Sequence, residues 1–113
     1  MLAKKYRITT TKDFQNIFKK GGILFNPFLN IKFLPTQLSN SRFGIIVSTK
    51  ISKKATVRNK IKRQLRAIIY KNLANIKQNY DIIILTKPAI TTQTITKIES
   101  NLIYLLKKAG LLK

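Results

Sequence analysis

At 113 residues with 44% hydrophobic content, the chain has enough apolar sequence for a single domain, residues 1–113, with a real core, and it does not read as a disordered basic tail. It carries 23 Lys and Arg against 3 Asp and Glu, a formal charge of +20, which is the footprint of a polyanion binder. The absence of Cys excludes a disulfide framework or a thiolate zinc site; MLAKKYRITT lacks the apolar run of a signal peptide, no stretch approaches the roughly 18 apolar residues of a membrane span, and a cytoplasmic protein is expected.

The first predicted element is a short helix. Thr10 or Thr11 can cap it, Asp13 suits its positive end, and Gly21 with Gly22 stops it. Its apolar residues are Phe14, Ile17 and Phe18. GILF can add a short strand, and Pro27 to Pro35 alternates, with Leu29, Ile31 and Phe33 on one face and Asn30 and Lys32 on the other. After the polar turn QLSNS, RFGIIVSTK reads as a second long strand. A basic helix follows. YDIIILTKP is an apolar, β-branched run stopped by Pro88, as expected of a strand buried on both faces. Ile95, Ile98, Leu102, Leu105, Leu106 and Ala109 mark a closing helix that ends at Gly110. A strand, helix, strand passage from Arg42 to Lys87 implies two parallel strands in one sheet.

The basic helix, VRNKIKRQLR, places five positive charges in ten residues. Val57, Ile61, Leu65 and Ile68 form its inner stripe; at roughly 100° per residue, Asn59, Lys62, Arg63 and Arg66 fall opposite, flanked by Arg58 and Lys60. Like charges four apart, Arg58 with Lys62 and Lys62 with Arg66, cost an isolated helix a few tenths of a kcal/mol per pair. A solvated face normally mixes signs, whereas this one has none to mix. Drift toward Lys in an Ile- and Asn-rich composition does not explain why three of only five arginines lie here, where the planar fork suits phosphate. Catalysis by the chain itself is not expected. It has no His and three scattered acids, Asp13, Asp81 and Glu99, too few for a two-metal phosphodiesterase site.

Several of these stretches, in order, resemble the protein subunit of bacterial ribonuclease P. The family hallmark, an Arg-Asn-Arg helix continued by Lys-Arg, is matched by Arg58-Asn59-Lys60-Ile61-Lys62-Arg63, with Arg66 one turn on. YRITTTKDFQNIFKKG resembles the family's opening through Arg7, Asp13, Phe14, Phe18 and Gly21; RFGIIVSTK resembles its Arg-x-Gly-x-x-Val-Ser-x-Lys strand, and Lys87-Pro88-Ala89 the end of its last strand. The likeness covers about residues 6 to 110. It departs at three places: Lys60 stands for Arg, the Lys50 to Arg58 loop is one residue longer, and Lys32 stands where the family presents an aromatic.

The resemblance implies an α+β fold: a single-domain sandwich of helices on a mixed sheet, in the order αββ(β)αβα, like ribosomal protein S5 domain 2. It also implies a left-handed crossover through the basic helix, although about 98% of such crossovers are right-handed. It further implies a holoenzyme in which ribonuclease P RNA hydrolyses precursor tRNA with magnesium held by the RNA and substrate, one protein per RNA. The basic helix (Arg58, Asn59, Lys60, Lys62, Arg63, Arg66) would bind the catalytic RNA. Phe14, Phe18, Lys32, Ser48, Lys50 and Lys87 would bind the 5′ leader, although by spacing alone an aromatic pair one turn apart is more often core. A ribosomal or other structured-RNA protein shares the charge and topology, and a membrane-surface protein could use the basic helix.

Overall fold

The computed structural model describes residues 2–113. After a single 3-10 turn at Lys4–Tyr6, α1 (Thr11–Lys20) is followed by β1 (Gly22–Leu24), β2 (Leu29–Pro35), β3 (Arg42–Ile46), α2 (Ala55–Asn72), β4 (Tyr80–Thr86) and α3 (Ile95–Lys108). The strands form one sheet in the order β1-β2-β4-β3, antiparallel except for the parallel β3 and β4. The expected α+β sandwich on a mixed sheet, and its element order, are what is observed.

Alternation decides how the sheet is covered. Leu29 and Ile31 of β2, Phe43 of β3, and Ile82 and Ile84 of β4 point to one face, where they are buried against Ile61, Leu65, Ile68 and Ile69 of α2 and Ile98, Leu102, Leu105 and Leu106 of α3. Ile83 points the other way, under α1, and closes a smaller cluster with Ile8 and Ile17. Burial on both faces is why β4 is an unbroken apolar run: each fully buried Ile contributes roughly 1.5–3 kcal/mol.

The strand from Arg42 is shorter than its sequence pattern, ending at Ile46 instead of running to Lys50. The Ser48 carbonyl accepts the Ile51 N–H at 3.0 Å, so the chain turns away while Val47 and Ile51 drop into the core. The inner stripe of α2 also shifts: Ile69 is buried and Val57 only half-buried, because the helix starts beyond the edge of the sheet's cover. On its outer edge β3 meets the N-terminal segment, with the Ile8 N–H donating to the Phe43 carbonyl at 2.9 Å.

The Thr10 hydroxyl caps α1 by accepting from the Asp13 N–H at 3.2 Å. Gly21 ends the helix in an extended conformation, φ −76°, so no left-handed turn demands glycine there. Proximity does: a Cβ would lie 2.6 Å from the Ile17 carbonyl oxygen and 2.9 Å from that of Phe33, both backbone atoms. Gly21→Ala is expected to destabilise the domain by about 1–3 kcal/mol, read as a lower denaturation midpoint in urea with an unchanged slope.

Candidate nucleic-acid interface

The basic side chains of α2 leave the helix in three directions. Arg58, Lys62 and Arg66, four residues apart, form a half-buried row; Asn59 and Arg63 point to solvent; Lys60 lies on the far flank, lining with Gln64 a cleft of about 210 Å³ against Ile90 and Thr91. The single exposed face expected for this helix is thus a broad, curved one. Arg58 is partly engaged within the protein, since its Nη1 donates to the Ser52 carbonyl at 2.9 Å and fixes the preceding loop. Among the described residues Lys71 is the only cation of α2 to meet a carboxylate, that of Glu99 at 3.2 Å. No acid lies in the first turn and no side chain caps it, so the positive end of the helix dipole adds to the field.

On the opposite face of the sheet, α1 covers the half nearest the starts of β3 and β4. The other half is a shallow groove floored by the half-buried Asn30, Ile46 and Leu85. Phe18 rises at its rim, 39% exposed, with Lys32 Nζ 5.3 Å from the ring centre and hydrogen-bonded to the Phe18 carbonyl. Because β3 and β4 are parallel, Ser48 and Lys50 beyond one strand and Lys87 beyond the other lie at the same end of the sheet. Five of the six expected leader residues therefore border one half of the sheet. Phe14 does not share their setting. It lies half-buried on Gly44, where a Cβ would come within 2.6 Å of its ring, and with Arg66 and Arg7 it lines a separate cavity of about 110 Å³.

Two features escaped the sequence patterning. Phe25 is 67% exposed with Lys87 Nζ 5.8 Å from its ring centre; it follows a three-residue strand, too short to assign its face by alternation. Lys4, Lys5, Arg7 and Arg42 line a concavity of about 510 Å³ with Asn40, which donates to the Lys5 and Ser41 carbonyls. Only the overall charge hinted at it.

The three carboxylates all hold the frame. Arg42 grips Asp81 with two hydrogen bonds, 2.9 and 2.7 Å, and reaches Asp13 with a third at 3.1 Å. Glu99 accepts from Asn72 at 3.0 Å and from Lys71. What this surface offers chemically is cations for phosphate and rings for bases.

The sequence pattern of the family described as Ribonuclease P matches residues 2–110. This chain belongs to the ribonuclease P protein family. It is 40% identical over 111 residues to the ribonuclease P protein component of Syntrophomonas wolfei, covering 98% of this chain and 92% of that protein. It is 35% identical to the counterpart from Streptococcus agalactiae, over 98% and 100% of the two chains. Solved ribonuclease P proteins superpose closely: that of Staphylococcus aureus with a TM-score of 0.88 at 32% identity, over 96% and 98% of the chains, and that of Thermotoga maritima with 0.83 at 32%, over 90% and 96%. Membership makes the chain a protein subunit of the ribonuclease P holoenzyme, which removes the 5′ leader of tRNA precursors. A ribosomal role is not favoured. The apolar stripe of α2 lies in the core, unavailable to a membrane surface, and among the described residues no helix is long and apolar enough to cross a membrane.

The acid limb of stability follows from the carboxylates. The Thr10 hydroxyl, then Arg42, holds the Asp13 carboxyl below its ordinary value; the Asn72 amide, then Lys71, does the same for Glu99. Their contribution is full above the unfolded carboxylate range of about 4 and is lost as pH falls through the lower folded values. Thermal melts should be level from pH 8 to 5 and fall below about pH 4, and Asp13→Asn or Glu99→Gln should lower the melting temperature at pH 7 while shrinking the loss at pH 3.

Proposed function

We propose that the two electropositive surfaces serve different RNAs: α2 binds the catalytic RNA through Arg58, Asn59, Lys60, Lys62, Arg63 and Arg66, and the open half of the sheet binds the 5′ leader of precursor tRNA. The observation that carries this reading is the contrast in chemistry. The outward face of α2 from Arg58 to Arg66 presents cations and an amide without a single ring, whereas the groove sets Phe18 beside Lys32 and has Lys87 beyond the end of β4. Neutralising phosphates releases counterions and fits a folded RNA recognised by its backbone. Stacking accepts any base and fits a leader of variable sequence. Phe14 packs on Gly44 beside the groove, against the same cluster as the floor residues Ile46 and Leu85.

In this division the protein positions substrate and the RNA performs the hydrolysis. Magnesium is held by RNA and substrate phosphates, and one protein serves each catalytic RNA. Asp13, Asp81 and Glu99 are already bound to Arg42, Lys71 and Asn72, which leaves no carboxylate pair to hold the ions. Purified protein with magnesium should leave precursor tRNA intact, and addition of a bacterial ribonuclease P RNA should bring accurate cleavage; site-specific cleavage by RNA-free protein would overturn the assignment.

Salt titration separates the surfaces. Arg63→Ala should loosen assembly with the catalytic RNA and flatten its log–log salt slope by roughly 0.7–0.9, keeping preference for leader-bearing over mature tRNA in the saturated complex. Phe18→Ala should weaken leader-bearing tRNA by about 1–3 kcal/mol with an unchanged slope. Equal effects of the two variants on both binding steps would contradict the two-surface reading.

A further inference from the structure

We propose that Phe25 and Lys87 form a second nucleotide-binding unit of the groove, holding a leader nucleotide beyond the one at Phe18 and Lys32; the inference rests on the reading of the groove as the leader site. An exposed phenylalanine alone carries little meaning, because much of any protein surface is apolar. Its surroundings here are specific. Phe25 is the most exposed of the large apolar side chains, yet the turn that presents it is pinned on both sides. Asn26 donates through Nδ2 to Asn101 of α3 at 2.7 Å and accepts the Phe28 N–H at 2.8 Å, and the Lys87 N–H donates to the Phe28 carbonyl at 3.0 Å. The same backbone contact that fixes the turn therefore places Lys87, whose ammonium stands 5.8 Å from the Phe25 ring.

This repeats the arrangement at the groove's rim, where the Lys32 ammonium stands 5.3 Å from the Phe18 ring. A ring with an adjacent ammonium matches the two parts of a nucleotide, a flat base and a phosphate. Exposed Tyr70 and Tyr104, by contrast, carry no such cation among the described residues. The two units are neighbours, since Ile23 of β1 pairs with Lys32 and Phe25 follows directly on the end of β1. A ring held on a fixed turn loses little freedom on binding, so the stack keeps most of its energy.

The test is the affinity of the holoenzyme for precursor tRNAs blocked at the scissile phosphate, with leaders lengthened one nucleotide at a time. Affinity for the unaltered protein should rise in two steps. Phe25→Ala should remove one step, a loss of about 5- to 100-fold, and match the unaltered protein at leader lengths that do not reach the unit; Phe25→Trp should restore the step. Phe18→Ala should remove the other step. If Phe25→Ala matches the unaltered protein at every length while Phe18→Ala weakens binding, the second unit is wrong and the groove stands. If neither substitution changes the length dependence, the groove reading falls with it.

Discussion

One guanidinium decides where the first helix lies. Arg42 begins β3, Asp81 lies beside it in β4, and Asp13 begins α1, so the three hydrogen bonds from Arg42 fasten the helix start to one end of the sheet. At the other end, Gly21 lets the helix close to backbone contact with β2. Between these points α1 can cover only part of the face, and the uncovered part is the groove. Asp81 is buried and Arg42 nearly so, and a pair of that kind adds little net stability because desolvation offsets attraction. Its effect is geometrical, in that a misplaced α1 would take from the Arg42 guanidinium its third hydrogen bond.

The same arrangement explains how so basic a chain can use its charge. With few acids, each is placed where it joins two elements: Asp13 and Asp81 join α1 to the sheet, and Glu99 joins α3 to α2. The remaining cations are left to repel one another, a cost to the compact state that a bound polyanion removes. Because α2 packs on one face of the sheet and the groove opens on the other, the two surfaces proposed to meet RNA do not overlap.

Much of this was legible in the sequence wherever one periodicity dominated. The Ile82 to Ile84 run, the α2 stripe and the alternation of β2 each named their elements and their buried faces. The overlong β3 shows the limit, since RFGIIVSTK keeps an extended pattern past the point where a local Ser48 to Ile51 hydrogen bond turns the chain. Phe14 and Phe18 share one helical face in projection, and only the position of Gly44, in a strand remote in the chain, makes one a wedge and leaves the other at the rim. Phe25 was invisible because it sits in a turn, where no period applies. The partnership of Arg42 with Asp81 could not be read at all, as parallel register is set by the crossover between them.

The groove's floor draws one residue from each of three strands, Asn30 of β2, Leu85 of β4 and Ile46 of β3, although the whole of α2 intervenes between β3 and β4 in the chain. Its shape therefore rests on contacts between segments far apart in the chain and is complete only when the sheet is assembled. The parallel unit of β3, α2 and β4 carries the basic helix on its other face, so the two surfaces are built on shared strands. A substitution that disturbs the pairing of β3 with β4 would thus be felt on both faces of the sheet at once, in the helix that the crossover carries and in the floor of the groove.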